Sequence, residues 1–229
     1  MNQIGSLANA QAESLRTFDD VVFHRRTSRR YLPERLSSEV YETLISAAVQ
    51  APSACNRQAW KFIVVDDREL LRWLFEQGGA SFLDHVHQGI LVLYCNRTDN
   101  TAYGDPIQSA AAATTILQLK ASEMGIGSCW VCHLPPKREI RRRFRIPAYY
   151  DPMAFVTLGY CQREPFRRPR KADVATVLSY NRFDFTDPPM PQIDWGMWCR
   201  RWGRRLYYLF PWRRGLYPWA RKYEKKFYD

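Results

Sequence analysis

Apolar positions along the first 160 residues recur at two spacings, and the switches between them mark the elements. Leu15, Phe18, Val21 and Val22 fall three and four apart within residues 8–24, which predicts a helix. A second helix begins at Ser37 or Ser38, with Glu39 and Glu42 in its first turns near the positive end of the dipole. Its stripe is Val40, Leu44, Ala47 and Ala48, and Pro52 stops it. Residues 62–65 form a short apolar, β-branched run that predicts a buried strand, and Gly89–Cys95 predicts another. Between them, residues 67–77 are patterned as a helix and 80–87 as a shorter one. Asp105-Pro106 sets an N-cap ahead of a proline at the first helical position. That helix runs to Met124, with Gly125 and Gly127 as its closing glycines. Residues 128–134 and 154–160 are the last two predicted strands. About four strands interleaved with helices make a mixed α/β chain whose sheet must be covered by helices. The helix 106–124 has small residues on several faces, which suits a central or interface position.

Composition narrows this picture. Of 229 residues, 46% are apolar, enough for a buried core and too many for a disordered chain. The length fits one to two domains. The opening stretch MNQIGSLANAQAESLRTF has neither a basic n-region nor an apolar h-region, so no secretory signal is expected. No apolar run approaches the ~20 residues of a membrane span. Six cysteines, at 55, 95, 129, 132, 161 and 199, show no framework spacing, and the expectation is cytoplasmic thiols.

Charge divides the chain at Pro189. Residues 190–229 hold ten Lys and Arg against Asp194, Glu224 and Asp229, a net +7, whereas the first 189 residues carry +4. The same tail contains five of the eight tryptophans. Asp187-Pro188-Pro189 and Pro191 mark the boundary. The expected organisation is a globular domain over 1–189 and a basic, Trp/Tyr-rich extension over 190–229.

Four segments carry candidate chemistry. Residues 24–31, HRRTSRRY, place four arginines and two hydroxyls in one turn. Such a set can grip a phosphate through bidentate and short neutral donors, or can be a solvated basic turn. Residues 51–60, APSACNRQAW, cluster Ser53, Asn56 and Gln58 in a loop beside Trp60. They suit a flat heteroaromatic with donor and acceptor edges, or a loop capping itself. In residues 125–134, GIGSCWVCHL, the GxG follows a helix and enters a strand, which is the wrong order for a dinucleotide fingerprint. Cys129-Trp130-Val131-Cys132-His133 has the spacing of a haem attachment site or a redox pair, but its strand setting argues for buried, inert thiols. Residues 163–173, REPFRRPRKAD, form a second basic loop that could close a phosphate site from the other side. His24, His85, His87 and His133 show no metal-ligand spacing, and no Ser/His/Asp grouping suggests hydrolysis.

Taken in order, these segments resemble the nitroreductase family of FMN enzymes. Arg25-Arg26-Thr27-Ser28-Arg29-Arg30-Tyr31 is similar to the family's R-R-S-x-R-x-[FY], and residues 51–60 to its A-P-S-x-x-N-x-Q-P-W. Residues 125–130 match G-[LI]-G-[ST]-C-W, and Leu158-Gly159-Tyr160 with Arg168-Pro169-Arg170 resembles G-Y-P…R-x-[RK]. The resemblance implies an α+β fold with a central, mainly antiparallel sheet flanked by helices, in an intertwined homodimer with FMN at the interface. It places Arg25, Arg26, Thr27 and Arg29, with Arg168 and Arg170, at the FMN phosphate. It places Pro52, Ser53, Asn56 and Gln58 at the flavin ring or ribityl chain, and Cys132 and His133 near the N5 edge. No side chain is implied as a catalytic acid or base, because flavin N5 carries the chemistry. The implied activity is ping-pong hydride transfer from NADH or NADPH to an electrophilic acceptor: a nitroaromatic, a quinone or a dedicated metabolite. Thr27 replaces the family's serine, Ala59 its proline, and Cys132 and His133 its small glycines, which narrow the substrate face.

The tail leaves alternatives open. As a helix, residues 195–210 put Trp195, Trp198, Trp202, Leu206 and Leu209 on one face, with Arg200, Arg201 and Arg204 opposite. That pattern suits a helix lying on an anionic membrane, peripheral at its inner face, or an arm wrapping the partner subunit. A protein partner is a further alternative, and nucleic acid is not expected because no recognised module accompanies the charge. The competing functional class is a nitroreductase-like scaffold that docks through this tail with little or no turnover.

Overall fold

The computed structural model describes residues 17–98, 103–162, 169–170, 173–185, 194–209 and 215. The chain divides into two compact units, Met1–Pro165 with Lys225–Asp229, and Phe166–Glu224.

The first unit is built on four strands: β1 (Trp60–Val65), β2 (Gly89–Cys95), β3 (Ile126–Val131) and β4 (Tyr150–Tyr160). Their order is β1-β2-β4-β3, and every neighbouring pair is antiparallel. β2 is buried along almost its whole length, which is why its sequence is continuously apolar rather than alternating. Its side chains still alternate between faces. Ile90, Val92 and Tyr94 enter one core, with Leu44 and Ala48 of α2 (Ser38–Ala48) and Ala113, Leu117 and Ala121 of α4 (Asp105–Glu123). Leu91 and Leu93 enter the other, with Leu71 and Leu74 of α3 (Arg68–Glu76) and Ile140 of α5 (Lys137–Arg143). The sheet is thus sandwiched between helical layers, an α+β architecture. Each fully buried leucine stabilises this arrangement by ~1.5–3 kcal/mol.

Local signals explain the helix ends. α1 (Phe18–His24) starts at a reciprocal capping box between Thr17 and Asp20; positions 8–16 of the predicted first helix lie outside the described residues. Asp67 caps α3 by accepting from the N–H groups of Glu69 and Leu70 at 2.8 and 3.0 Å. α4 differs from expectation: Gly104, at φ +64°, holds the cap position, and Asp105 is the first helical residue. Gly125 closes α4 at φ +71°, as expected. Gly127 does not; it lies within β3.

The remaining differences have identifiable causes. β4 starts four residues before its predicted beginning because a bulge between Val92 and Leu93 of β2 and their partners Ala154 and Pro152 lets the sheet accept a proline. β1 starts at Trp60 rather than 62, and β3 occupies Ile126–Val131 rather than 128–134. Residues 80–87 make a 3-10 turn at Ser81–His85 rather than a helix. α5 is unanticipated, since KREIRRR offers one apolar residue, the buried Ile140.

The second unit contains α6 (Val174–Val177), capped by Asp173 and Thr176, and α7 (Trp195–Leu209). Asp194 starts α7 by accepting from Met197 N at 2.8 Å and Trp198 N at 2.9 Å. Trp195, Trp198, Trp202 and Leu206 are exposed.

Candidate functional site

From α1 the chain turns along the free edge of β3. Ser28 N–H donates to Ser128 O at 3.0 Å, Thr27 forms a parallel bridge with Ser128, and Tyr31 an antiparallel bridge with Cys161. Leu32 N–H donates to Tyr160 O at 2.9 Å. This approach is close enough to need glycine at two sheet positions. A Cβ on Gly127 would run into Ser28 and the Cys161 sulfur, and one on Gly159 would meet the Tyr31 ring at 3.0 Å. The Tyr31 hydroxyl is buried, 2.5 Å from Ser28 O and 2.7 Å from Thr157 Oγ1. Burial pushes its pKa well above the ordinary tyrosine value, so it remains a neutral donor. Below it, Gln118 of α4 donates to Ser128 Oγ at 3.1 Å.

The predicted arginine segment is therefore fastened to the sheet from two sides. Arg25, Arg26, Thr27 and Arg29 are all half-buried in it. The Arg26 guanidinium donates through Nη1 to the carbonyls of Phe23 (2.7 Å) and Arg25 (2.8 Å). Its Nε is buried and makes no hydrogen bond among the described residues. A buried charged donor left in this state costs free energy that an anionic acceptor recovers. The Arg29 guanidinium lies over the Phe82 ring, 5.7 Å from its centroid.

The second predicted segment, residues 51–60, leaves α2 through Pro52 and is the most strained stretch of backbone among the described residues. Cys55, Asn56 and Gln58 have φ of 51°, 52° and 46°. Each non-glycine residue held there costs ~1–3 kcal/mol, and such strain persists only where surrounding bonds over-determine it. Those bonds are Asn56 N to Ser53 O (3.0 Å), Gln58 N to Ser53 Oγ (3.1 Å) and Gln58 Nε2 to Asn56 Oδ1 (2.9 Å). Ala54 N donates to Ser109 Oγ of α4 at 3.2 Å, and that hydroxyl donates to Asp105 O at 2.8 Å. Pro52, Asn56 and Gln58 are exposed, and Ser53 is half-buried. Both α1 and the 54–56 turn pack on α4, so one helix carries the arginine segment and the amide loop.

Cys132 and His133 follow the end of β3 and are exposed, with His133 O accepting from Ala80 N at 3.0 Å. The expectation of buried thiols in this stretch holds for Cys129 and fails for Cys132, because the strand stops at Val131. Arg170 is exposed and belongs to the second unit; Arg168 lies outside the described residues. Sequence reasoning assigned no role to the supporting residues Gln118 and Thr157, and read Ser128 only as part of the 125–130 motif; all three are polar side chains at buried positions.

The nitroreductase family model matches residues 22–94 and 80–160, from within α1 to the end of β4. The chain belongs to the nitroreductase family. It is 33% identical over 148 residues to a putative NADH dehydrogenase/NAD(P)H nitroreductase of Archaeoglobus fulgidus, covering 63% of this chain and 85% of that one. It is 35% identical over 178 residues to an NADH dehydrogenase of Thermus thermophilus, covering 62% and 85%. The solved FMN-dependent nitroreductase of Clostridium difficile R20291 superposes with a TM-score of 0.63 at 27% identity, covering 71% of this chain and 98% of that one. A putative NADH dehydrogenase/NAD(P)H nitroreductase of Parabacteroides distasonis gives 0.65 at 25% identity, covering 72% and 98%. The chain is an oxidoreductase of this family, and the nitroreductase match ends before the second unit begins.

Proposed function

We propose that the chain is an FMN-dependent oxidoreductase that passes hydride from NADH or NADPH to an electrophilic acceptor in a ping-pong cycle. The carrying observation is the buried Arg26 Nε, which makes no hydrogen bond among the described residues, within a half-buried arginine segment fastened to β3. Its chemistry asks for a phosphate, and FMN has one. The relatives named as an FMN-dependent nitroreductase and an NAD(P)H nitroreductase support the same cofactor pair.

In this reading Arg25, Arg26, Thr27 and Arg29 hold the phosphate. Pro52, Ser53, Asn56 and Gln58 present a stiff edge of donors and acceptors to the ring or ribityl chain. Cys132 and His133 offer backbone N–H groups near the reacting edge. Bound FMN supplies two-electron hydride chemistry at N5. The chain's part is binding, orientation and exclusion of water, and none of its side chains is needed as a proton donor. The strain of the 55–58 backbone serves this role, since a loop already held in its working conformation loses little entropy on binding. The functional unit is a homodimer, and the acceptor is a nitroaromatic, a quinone or a dedicated metabolite.

The test is steady-state kinetics with NADH or NADPH against a quinone and a nitroaromatic, after saturation with FMN. Parallel double-reciprocal lines are expected. Intersecting lines would replace the ping-pong cycle by a ternary complex. Absence of turnover with every donor and acceptor, in a chain that binds FMN, would favour the docking scaffold.

A further inference from the structure

α7 lies outside both segments matched by the family and outside the chemistry just described. Trp195, Trp198, Trp202 and Leu206 are exposed. The rings of Trp195 and Trp198 meet edge-on at 5.7 Å between centroids, and those of Trp198 and Trp202 at the same 5.7 Å, tilted. At ~100° per residue these positions fall within a stripe of roughly 80°. Sequence positions 200 and 204, both arginine, fall on the opposite side of the helix, and the arginine positions 201 and 205 flank the stripe on the side of position 198. We infer that α7 is an interfacial helix that docks the protein on an anionic lipid surface.

Three observations choose this occupant. Tryptophan is apolar over most of its ring and polar at its N–H, which suits the boundary between headgroups and acyl chains. No helix among the described residues is long and apolar enough to cross a membrane, so α7 lies on the surface rather than through it. Charge complementarity then separates a lipid from a second copy of this chain. Residues 190–229 carry +7, and the remainder of the chain is itself +4. The first unit also displays α5, where Lys137, Arg138, Arg142 and Arg143 are exposed. A second copy would bring positive charge to a positive tail, whereas an anionic bilayer attracts both.

The experiment uses the full chain with FMN added and vesicles of phosphatidylcholine, with or without about one third phosphatidylglycerol, a composition that gives a strong surface potential. At low salt the protein is expected to sediment with the anionic vesicles, with a blue-shifted tryptophan emission that brominated lipids quench. Partitioning should fall at least about tenfold on pure phosphatidylcholine, or in roughly 0.5 M salt where the Debye length is only a few ångströms. Combining Trp195→Ser, Trp198→Ser and Trp202→Ser should abolish sedimentation while leaving hydrodynamic size unchanged. Failure to sediment with anionic vesicles at low salt, or sedimentation without quenching, overturns the inference in the unmodified protein. Loss of the dimer in the triple variant also overturns it, because the stripe would then belong against a second subunit.

Discussion

Gly127 in β3 reports whether the sheet positions the arginine segment. An alanine Cβ there would come within 2.9 Å of Ser28 Cβ and 3.1 Å of Ser28 Oγ, and would overlap the Cys161 sulfur. Neither neighbour can retreat freely: Ser28 N–H is bonded to Ser128 O at 3.0 Å, and Cys161 is bridged to Tyr31. Overpacking of this kind costs ~1–3 kcal/mol. At roughly 2–4 °C per kcal/mol for a chain of this size, Gly127→Ala should lower Tm by roughly 2–12 °C. The strain is relieved by moving Ser28 outward, which carries Thr27 and Arg29 with it, so FMN affinity should fall together with stability. Cys161→Gly removes the sulfur and should restore part of the loss in the double variant, leaving only the Ser28 contact. Thermal denaturation and FMN titration by fluorescence quenching measure both effects. An unchanged Tm would refute the packing argument. A lowered Tm with unchanged FMN affinity would detach the segment from the cofactor.

Three further outcomes are expected. Arg26→Ala should weaken FMN binding about 10–100-fold, the loss of a charge-assisted hydrogen bond of ~1.5–3 kcal/mol, with little change in urea stability. Gln88 accepts from Leu36 N–H at 2.9 Å and the Tyr41 hydroxyl at 3.1 Å and donates to Glu34 O at 3.1 Å; Gln88→Ala should cost ~2–4 kcal/mol by urea denaturation while leaving FMN affinity unchanged. Burial pushes the Tyr41 pKa from 10.0 to about 12 and raises that of Tyr31 as well. Both stay protonated in the folded state where the unfolded chain ionises, so their stabilisation is complete below pH 10 and falls as pH rises beyond it, Tyr41's being lost between 10 and about 12. Tyr41→Phe should flatten the curve relative to the parent in that window.

The polar loops were legible as residue types, because arginine forks and side-chain amides advertise their chemistry without a structure. Their conformations were not. Asn56 is a residue that tolerates positive φ, but nothing in Cys55 or Gln58 signals it, and they are held there by bonds to Ser53 and Ser109 and by the bond between Gln58 and Asn56. Gly127 shows how one residue type serves two ends: four residues after α4 it looked like a helix stop, whereas its lack of a side chain admits Ser28. β2 was read to its true ends because both faces are buried. The start of β4 was hidden by Pro152, which only a bulge in the pairing accommodates. α5 was hidden because a short basic helix tied to the core by Ile140 has no apolar period to read.

The central claim, that this nitroreductase family member works through FMN, is tested most directly by one spectrum. The purified protein, incubated with FMN and desalted, should retain a flavin absorption band that bleaches on anaerobic addition of NADH or NADPH. A protein that stays colourless after this treatment would contradict the account. A bound flavin that neither nucleotide bleaches would contradict the nicotinamide half of it.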